Sequence, residues 1–113
     1  MGACTFSDLI VVKGDHREAY REAREEANDY NGHQEGYSGD IQTTNGYSIT
    51  SSNPRFGTKS FNKWEDKKLD SMDKGDCLCI EIEGSVATRI KQSRGYKGKK
   101  GIKVFYFFGW ARC

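Results

Sequence analysis

A chain of 113 residues has the size of one folded domain, and we expect residues 1–113 to share a single core. Six Phe, six Tyr and two Trp can fill such a core, and one proline among 13 glycines argues against an intrinsically disordered chain. The balance of 18 basic and 16 acidic residues leaves a net charge of only +2, so the whole chain is not uniformly basic.

The sequence has no feature that directs it to a membrane or out of the cell. Its first residues lack the basic and apolar regions of a secretory signal. No apolar run approaches the roughly 20 residues needed to cross a bilayer. We therefore expect a cytoplasmic protein with no membrane partner, whose four cysteines are reduced.

The first elements along the chain are predicted to be a strand and a helix. Phe6 to Lys13 contains the β-branched run typical of a buried strand. Asp15 then serves as a helix N-cap, with Glu18 in the position of a capping box. We predict the main helix over residues 15–30. Alanines recur there at every fourth position and form a stripe that can lie close to a sheet: Ala19, Ala23 and Ala27.

The middle of the chain predicts a hairpin followed by a short helix. Ser38 to Thr43 and Tyr47 to Thr50 read as strands, and Asn45-Gly46 between them is typical of a tight turn. A three-residue loop over residues 44–46 would keep the isoleucines of both strands on one face. Beyond the next loop, the sequence predicts at most a short charged second helix over residues 60–72.

Two further strands are predicted towards the C-terminus. Cys77 to Glu83 alternates between apolar and polar positions, whereas Ile102 to Ala111 is apolar on both faces. Phe105 and Phe107 occupy the second face of this last strand, which is either covered within a central strand or offered to a partner. The predicted fold is α+β, with a mostly antiparallel sheet of four or five strands and the main helix on one face.

Three segments of the chain together carry a family resemblance. They are the alanine-rich helix over residues 19–27, the motif Tyr37-x-Gly39-x-Ile41-x-Thr43, and Phe107-Phe108-Gly109-Trp110-Ala111. In these segments the chain resembles a family of small uncharacterised proteins of tailed bacteriophages, over its first 50 residues and its last dozen. A departure is Asn31-Gly32-His33-Gln34, where such proteins more often have Tyr-Gly-His. The resemblance implies a phage origin, and so the host cytoplasm, but no defined activity.

The strongest functional signal is a block of positive charge between Arg89 and Lys103. It contains no acidic residue, and the remainder of the chain has 11 basic against 16 acidic residues. Its basic side chains are Arg89, Lys91, Arg94, Lys97, Lys99, Lys100 and Lys103. Such asymmetry attracts phosphates or an acidic protein surface. We predict partner contacts at these residues, at Tyr96 within the block, and at Phe105 and Phe107 of the aromatic strand.

These features favour a binding protein over an enzyme. We expect a non-enzymatic phage accessory protein that binds a host protein with an acidic or nucleic-acid-binding surface and modulates or inhibits it, for example a defence or gene-expression component. The alternative is a protein that binds nucleic acid directly through the glycine-containing loop that we predict from Arg89 to Lys103. Pairing of two copies through Phe105 and Phe107 would give a homodimer.

Two weaker arrangements point to other chemistry. Asp40, Glu81 and Glu83 are carboxylates that could share a strand face, as in a small metal-dependent enzyme, which is the second alternative. Cys77 and Cys79 also share a face, but Cys-x-Cys in a strand does not have the spacing of a zinc knuckle. We interpret both cysteines as small buried residues. No catalytic residue, metal or cofactor is predicted.

Overall fold

A four-stranded sheet with helices on both faces forms the framework of the chain. The computed structural model describes residues 3–30, 41–51, 53–96 and 100–112. In chain order the elements are β1 (Ala3–Lys13), α1 (His16–Tyr30), a 3-10 turn (Ile41–Thr43), β2 (Ser48–Ile49), α2 (Lys59–Asp70), β3 (Cys77–Ile82), α3 (Gly84–Ser93) and β4 (Ile102–Arg112). The prediction of an α+β fold with a four-stranded sheet is confirmed.

The long strand β4 is central in the sheet, whose strand order is β1-β4-β3-β2. It pairs antiparallel with β1 along the whole length of β1, and antiparallel with β3 on its other side. The short strand β2 pairs parallel with β3, through Ser48 opposite Leu78 and Ile49 opposite Cys79. The sheet is therefore mixed, with its antiparallel part formed by the three longest strands.

Helix α1 covers one face of the sheet, as its sequence predicts. The Oδ1 atom of Asp15 accepts hydrogen bonds from the backbone N–H groups of Arg17 and Glu18, at 3.0 and 3.3 Å. These bonds satisfy two of the free donors at the start of a helix. The alanine stripe (Ala19, Ala23 and Ala27) is buried against the sheet. Small side chains there let the helix axis come close to the strands.

Helices α2 and α3 cover the opposite face, so α3, which was not predicted as a helix, joins the predicted second helix there. Helix α2 confirms the predicted short helix, with its start at the N-cap Thr58. It buries Phe61 beside Tyr106, and Trp110 Nε1 donates to the carbonyl of Leu69 at 2.7 Å. Among the described helices, none has both the length and the apolar sequence required to cross a membrane.

The predicted hairpin is wrong. Ile41 to Thr43 forms a 3-10 turn instead of a strand. Strand β2 pairs parallel with β3, and the chain between them contains α2. The Thr44 hydroxyl donates to the carbonyl of Ile41 at 2.7 Å, and Asn45 N–H donates to the carbonyl of Gly75 at 2.9 Å. These bonds hold the turn in place of strand pairing. Residues 38–40 lie outside the described residues.

The second face of β4 is covered within the chain. Phe105 and Phe107 are buried beneath α1, with exposures of 3% and 0%. The predicted partner contacts at these two residues are therefore corrected: both rings belong to the core that joins α1 to the sheet. A dimer formed through this face would first require α1 to be displaced.

The cysteines divide into two classes. Cys77 and Cys79 are free thiols, buried beneath α1. Cys4, in contrast, is disulfide-bonded. The interpretation of Cys77 and Cys79 as small core residues is confirmed, whereas the prediction that every cysteine is reduced is wrong at Cys4.

Candidate functional site

The predicted basic block lies on helix α3 and at the start of β4. Arg89 and Lys91 are in α3, and Arg94 is its C-cap. Lys100 precedes β4. Lys103 lies in β4 opposite Val12 of β1, on the face of the sheet that α1 covers, whereas α3 packs on the other face. We call these five residues (Arg89, Lys91, Arg94, Lys100 and Lys103) the cationic surface. Lys97 and Lys99, which were also predicted, lie outside the described residues.

The first half of this block is a helix, where the sequence suggested part of a glycine-rich loop. Ala87 is buried, and Val86 and Ile90 pack against the core formed around Val104. Positions 86, 87 and 90 lie on one side of a helix, so burying them turns the opposite side to solvent. A helix of this length is marginal in isolation, and its β-branched residues weaken it further, so contact with the sheet stabilises it.

The end of α3 fixes the position of Arg94. The backbone N–H of Arg94 donates to the carbonyl of Ile90 at 3.1 Å, and that of Tyr96 to the carbonyl of Lys91 at 2.8 Å. Gly95 between them has a φ of +83°, a left-handed conformation that closes a helix and favours glycine. The chain therefore reverses immediately after Arg94 and returns towards β4.

The cationic surface is not neutralised by the residues around it. None of its five members makes an ion pair with a described carboxylate, whereas Arg21 of α1 pairs with Glu18 and Glu25 at 2.7 and 2.8 Å. The reason is visible in the sequence, because residues 84–113 contain eight Lys and Arg and no Asp or Glu. Four of the five residues are exposed and Lys91 is half-buried. Unpaired charges of one sign attract a polyanion, and those of α3 and its C-cap lie together at one helix.

Tyr96 is the aromatic residue of the basic block. Its ring is half-buried and packs against the core that contains Val104. The tyrosine therefore fixes the segment after α3 to the core. This packing leaves only part of the ring for the predicted partner contact.

The carboxylates of the predicted enzyme alternative do not form a described cluster. Glu81 is exposed in β3, and Glu83 is the exposed N-cap residue of α3. Asp40 lies outside the described residues. The part of the chain that the structure describes contains no group of three or more His, Cys, Asp or Glu side chains placed to hold a metal ion.

The sequence did not predict a polar aromatic cluster beneath the start of α1. His16 Nδ1 and the Tyr47 hydroxyl are hydrogen-bonded at 2.6 Å, and the hydroxyls of Tyr20 and Thr44 are also hydrogen-bonded. The rings of Tyr20 and Tyr47 have centroids 4.5 Å apart. His16 and Tyr20 are four residues apart, so they lie on one side of the helix. This spacing is the feature of the sequence from which the cluster could have been predicted. The cluster positions α1 on the sheet.

An open cleft of about 460 Å³ lies beside this cluster, between β2 and the end of α2. Its lining includes Tyr47, Lys68, Met72 and Cys77. Burial raises the pKa of both Tyr47 and Cys77, so neither side chain is prepared to act as a base or nucleophile near neutral pH. Neither the Tyr47 phenol nor the Cys77 thiol of this cleft is therefore a candidate catalytic group.

Comparison with known proteins gives no relative: no family model, no curated protein and no solved structure matches this chain. The resemblance to tailed-bacteriophage proteins stays a prediction, and function has to be inferred from the cationic surface itself.

Proposed function

We propose that this chain is a non-enzymatic binding protein whose cationic surface contacts the phosphates of a nucleic acid. The observation that carries the proposal is the set of five basic side chains on α3 and β4 that have no described carboxylate partner. Neutralising phosphates with such side chains releases counterions, and this release supplies most of the free energy of non-specific binding. A phage accessory role, taken from the family resemblance, is part of the same proposal.

The burial of Phe105 and Phe107 shifts the balance between the two binding hypotheses. Stable protein interfaces usually have an apolar centre with aromatic anchors and a polar rim. The two rings predicted for that role lie beneath α1. The fully exposed side chains of α3 are polar, and its apolar Val86 and Ile90 are partly buried against the core. A partner that presents phosphates fits this surface better than one that presents an apolar patch.

Binding to a host protein is the second candidate, and Ile49 is the observation that favours it. Ile49 lies in the edge strand β2 and is the exposed large apolar residue of the described chain, with 54% of its surface accessible. An exposed strand edge with an apolar side chain is a common place for another chain to add. This edge is separated from β4 by β3, so it is distinct from the β4 part of the cationic surface.

Salt dependence tests the first candidate. Affinity for a duplex of random sequence, measured by fluorescence anisotropy between about 50 and 200 mM salt, should fall linearly on a log–log plot. The triple variant Lys91→Ala, Arg94→Ala, Lys100→Ala should reduce the slope by about 3, since each phosphate contact contributes roughly 0.9. Affinity that does not depend on salt would contradict the proposal.

A matched control is available on α2. Lys59, Lys63 and Lys67 are exposed and carry the same charge as the three residues removed from the cationic surface. Carboxylates are interspersed with the lysines along α2, for example Glu65 and Asp66. The triple Lys→Ala variant should therefore retain the salt slope, and an equal loss in both variants would show that total charge alone controls binding.

Affinity capture from host lysate separates the two candidates. Capture of the tagged chain with and without nuclease, followed by mass spectrometry, should lose its partners after nuclease digestion if nucleic acid is the ligand. A single protein retained in stoichiometric amount under both conditions, and lost in Ile49→Asp, would favour the host-protein candidate and contradict the first.

A further inference from the structure

The solvent-facing side of α3 is polar and carries no acid. Its exposed residues are Ser85, Thr88, Arg89, Gln92 and Ser93. Positions 85, 88, 89 and 92 follow the spacing of one helical face, so these side chains form a continuous strip opposite the buried Ala87. An α-helix with its side chains is about 10–12 Å in diameter, so the ten-residue α3 can enter the major groove of B-DNA, which is about 12 Å wide.

Hydrogen bonds within the chain divide this strip into occupied and available side chains. The Thr88 hydroxyl donates to the carbonyl of Gly84 at 3.2 Å, and the Ser93 hydroxyl donates to the carbonyl of Ile90 at 2.9 Å. The side chains of Arg89 and Gln92 make no hydrogen bond to another described residue. The strip therefore offers two long side chains with free donors and acceptors, three positions apart on the helix.

These two residue types match the code of the major groove. Arginine can donate two hydrogen bonds to the O6 and N7 atoms of guanine. Glutamine can bond to the N6 and N7 atoms of adenine. Neighbouring positions on one helical face can reach neighbouring base pairs, so Arg89 and Gln92 together could distinguish a short sequence.

Cations stand at both ends of the strip. At its start, Arg55 Nη2 donates to the hydroxyl of Ser85 at 2.7 Å, which holds this guanidinium beside the first turn of α3. At its end, Arg94 is the C-cap. A groove is bordered by phosphates on each side, and basic residues that flank a recognition helix contact them and set its register.

The same region lacks a surface for stacking unpaired bases. Tyr96 is the single aromatic residue between positions 84 and 104, and its ring is half-buried against the core. Proteins that bind single strands combine positive charge with exposed aromatic rings. Double-stranded RNA is also a poorer fit, because its major groove is too deep and narrow for side chains to read.

We propose that α3 binds in the major groove of double-stranded DNA, with Arg89 and Gln92 contacting base edges and with Arg55 and Arg94 contacting phosphates. This inference rests on the proposed function and names its ligand. Base contacts would provide sequence preference, while the flanking cations would provide affinity without preference.

Selection from a pool of random duplexes, followed by affinity measurements on a selected and a scrambled duplex, tests this arrangement. The wild-type chain should enrich a short motif. Arg89→Ala and Gln92→Ala should each reduce the ratio of the two affinities by about tenfold, because one bidentate base contact discriminates by roughly that factor. Arg94→Ala should instead weaken both duplexes equally and reduce the salt slope by about one.

Arg89→Lys is the decisive variant. It keeps the charge but loses the planar fork that binds guanine, so the salt slope should stay unchanged while the affinity ratio falls. Circular dichroism of each variant checks that α3 is retained. Binding without any enriched motif, or equal weakening of both duplexes by Arg89→Ala, would overturn the groove arrangement while leaving the proposed function in place. Absence of binding to any nucleic acid would overturn both.

Discussion

Gly109 lies so close to Asp76 that a Cβ atom at position 109 would be 2.0 Å from the carbonyl oxygen of Asp76. The contact is maintained by hydrogen bonds on both sides of it. Trp110 N–H donates to that carbonyl at 3.1 Å, and Gly75 N–H donates to the carbonyl of Trp110 at 2.8 Å. The turn before β3 is therefore bonded directly to the central strand, and a side chain at position 109 would separate them.

Replacing Gly109 by alanine should lower the free energy of unfolding by about 3 kcal/mol, the upper end of the cost of overpacking a core, because the obstructing atom is backbone. Gly57→Ala is the control. Gly57 has a φ of +86° and nothing within 4 Å of a Cβ, so only the strain of a left-handed residue, about 1 kcal/mol, is expected. Urea denaturation measures both values. Similar losses in the two variants would contradict the close approach.

Phe107 should contribute to stability and not to binding. Its ring centroid lies 5.7 Å from that of Tyr20 and 5.8 Å from that of Tyr47, beneath α1. Phe107→Leu should cost about 1.5 kcal/mol through lost volume and ring contacts, whereas Ile49→Ala at the exposed edge should cost less than about 0.5 kcal/mol. Nucleic-acid affinity, measured where the folded state is fully populated, should be unchanged in Phe107→Leu. A weakened affinity would restore the predicted partner contact.

The free thiols should react only when the chain unfolds. Cys79 is fully buried, and burial raises the pKa of its thiol to about 12, with Cys77 shifted in the same direction. Iodoacetamide labelling followed by mass spectrometry should therefore show both thiols protected in the folded chain and modified in urea. Rapid labelling of either thiol under native conditions would disprove their burial.

The same shifts predict a loss of stability at alkaline pH. A folded pKa raised above the ordinary value of 9.0 stabilises the folded state below that pH, and the contribution is lost as pH rises from about 9 towards 12. Tyr106 acts in the same direction, because burial and its hydrogen bond to Glu65 raise its pKa. Thermal midpoints measured from pH 7 upwards should fall less steeply in Cys79→Ala than in the wild-type chain.

Asp15 should produce the opposite dependence at acid pH. The hydrogen bond from the backbone N–H of Glu18, with a further one from Arg17, lowers the pKa of its carboxyl below the ordinary value of 3.8, although desolvation opposes this shift. A lowered folded pKa stabilises the helix above pH 3.8, and this contribution is lost as pH falls through the folded value. Asp15→Asn keeps a capping oxygen but does not titrate, so its thermal midpoint should fall less on acidification. Parallel curves would argue against the cap.

Glu83 should oppose binding if α3 is the interface. It is the last acidic residue in the chain and the N-cap of α3, close to the segment held by Arg55. Glu83→Gln removes one negative charge there and should raise affinity for every duplex by about two- to fivefold, the scale of one exposed charge interaction. Asp66→Asn on α2 removes the same charge elsewhere and should have no effect. Equal gains in the two variants would place the ligand away from α3.

Some parts of the structure could be predicted because they depend on neighbours along the chain. The cap at Asp15, the alanine stripe of α1 and the strand that begins at Cys77 depend on local patterns, and the structure reproduces them. The positive charge of residues 89–103 could also be predicted, since it follows from the number of Lys and Arg residues in that segment. The local sequence does not predict α3, because the segment contains β-branched residues and its N-cap residue, Glu83, makes no capping hydrogen bond through its side chain.

Long-range contacts determine which surfaces of the chain are covered and which face solvent. The alternation in β3 is the same whether its neighbour runs parallel or antiparallel, so the partnership with β2 could not be predicted from it. Two apolar faces on β4 likewise do not reveal what covers them, and α1 provides the cover for Phe105 and Phe107. Arg89 and Gln92 share one face of the molecule because their segment is a helix that packs against the sheet. Strand partners and covered faces depend on contacts between residues distant in sequence, whereas periodicity and charge describe one segment at a time.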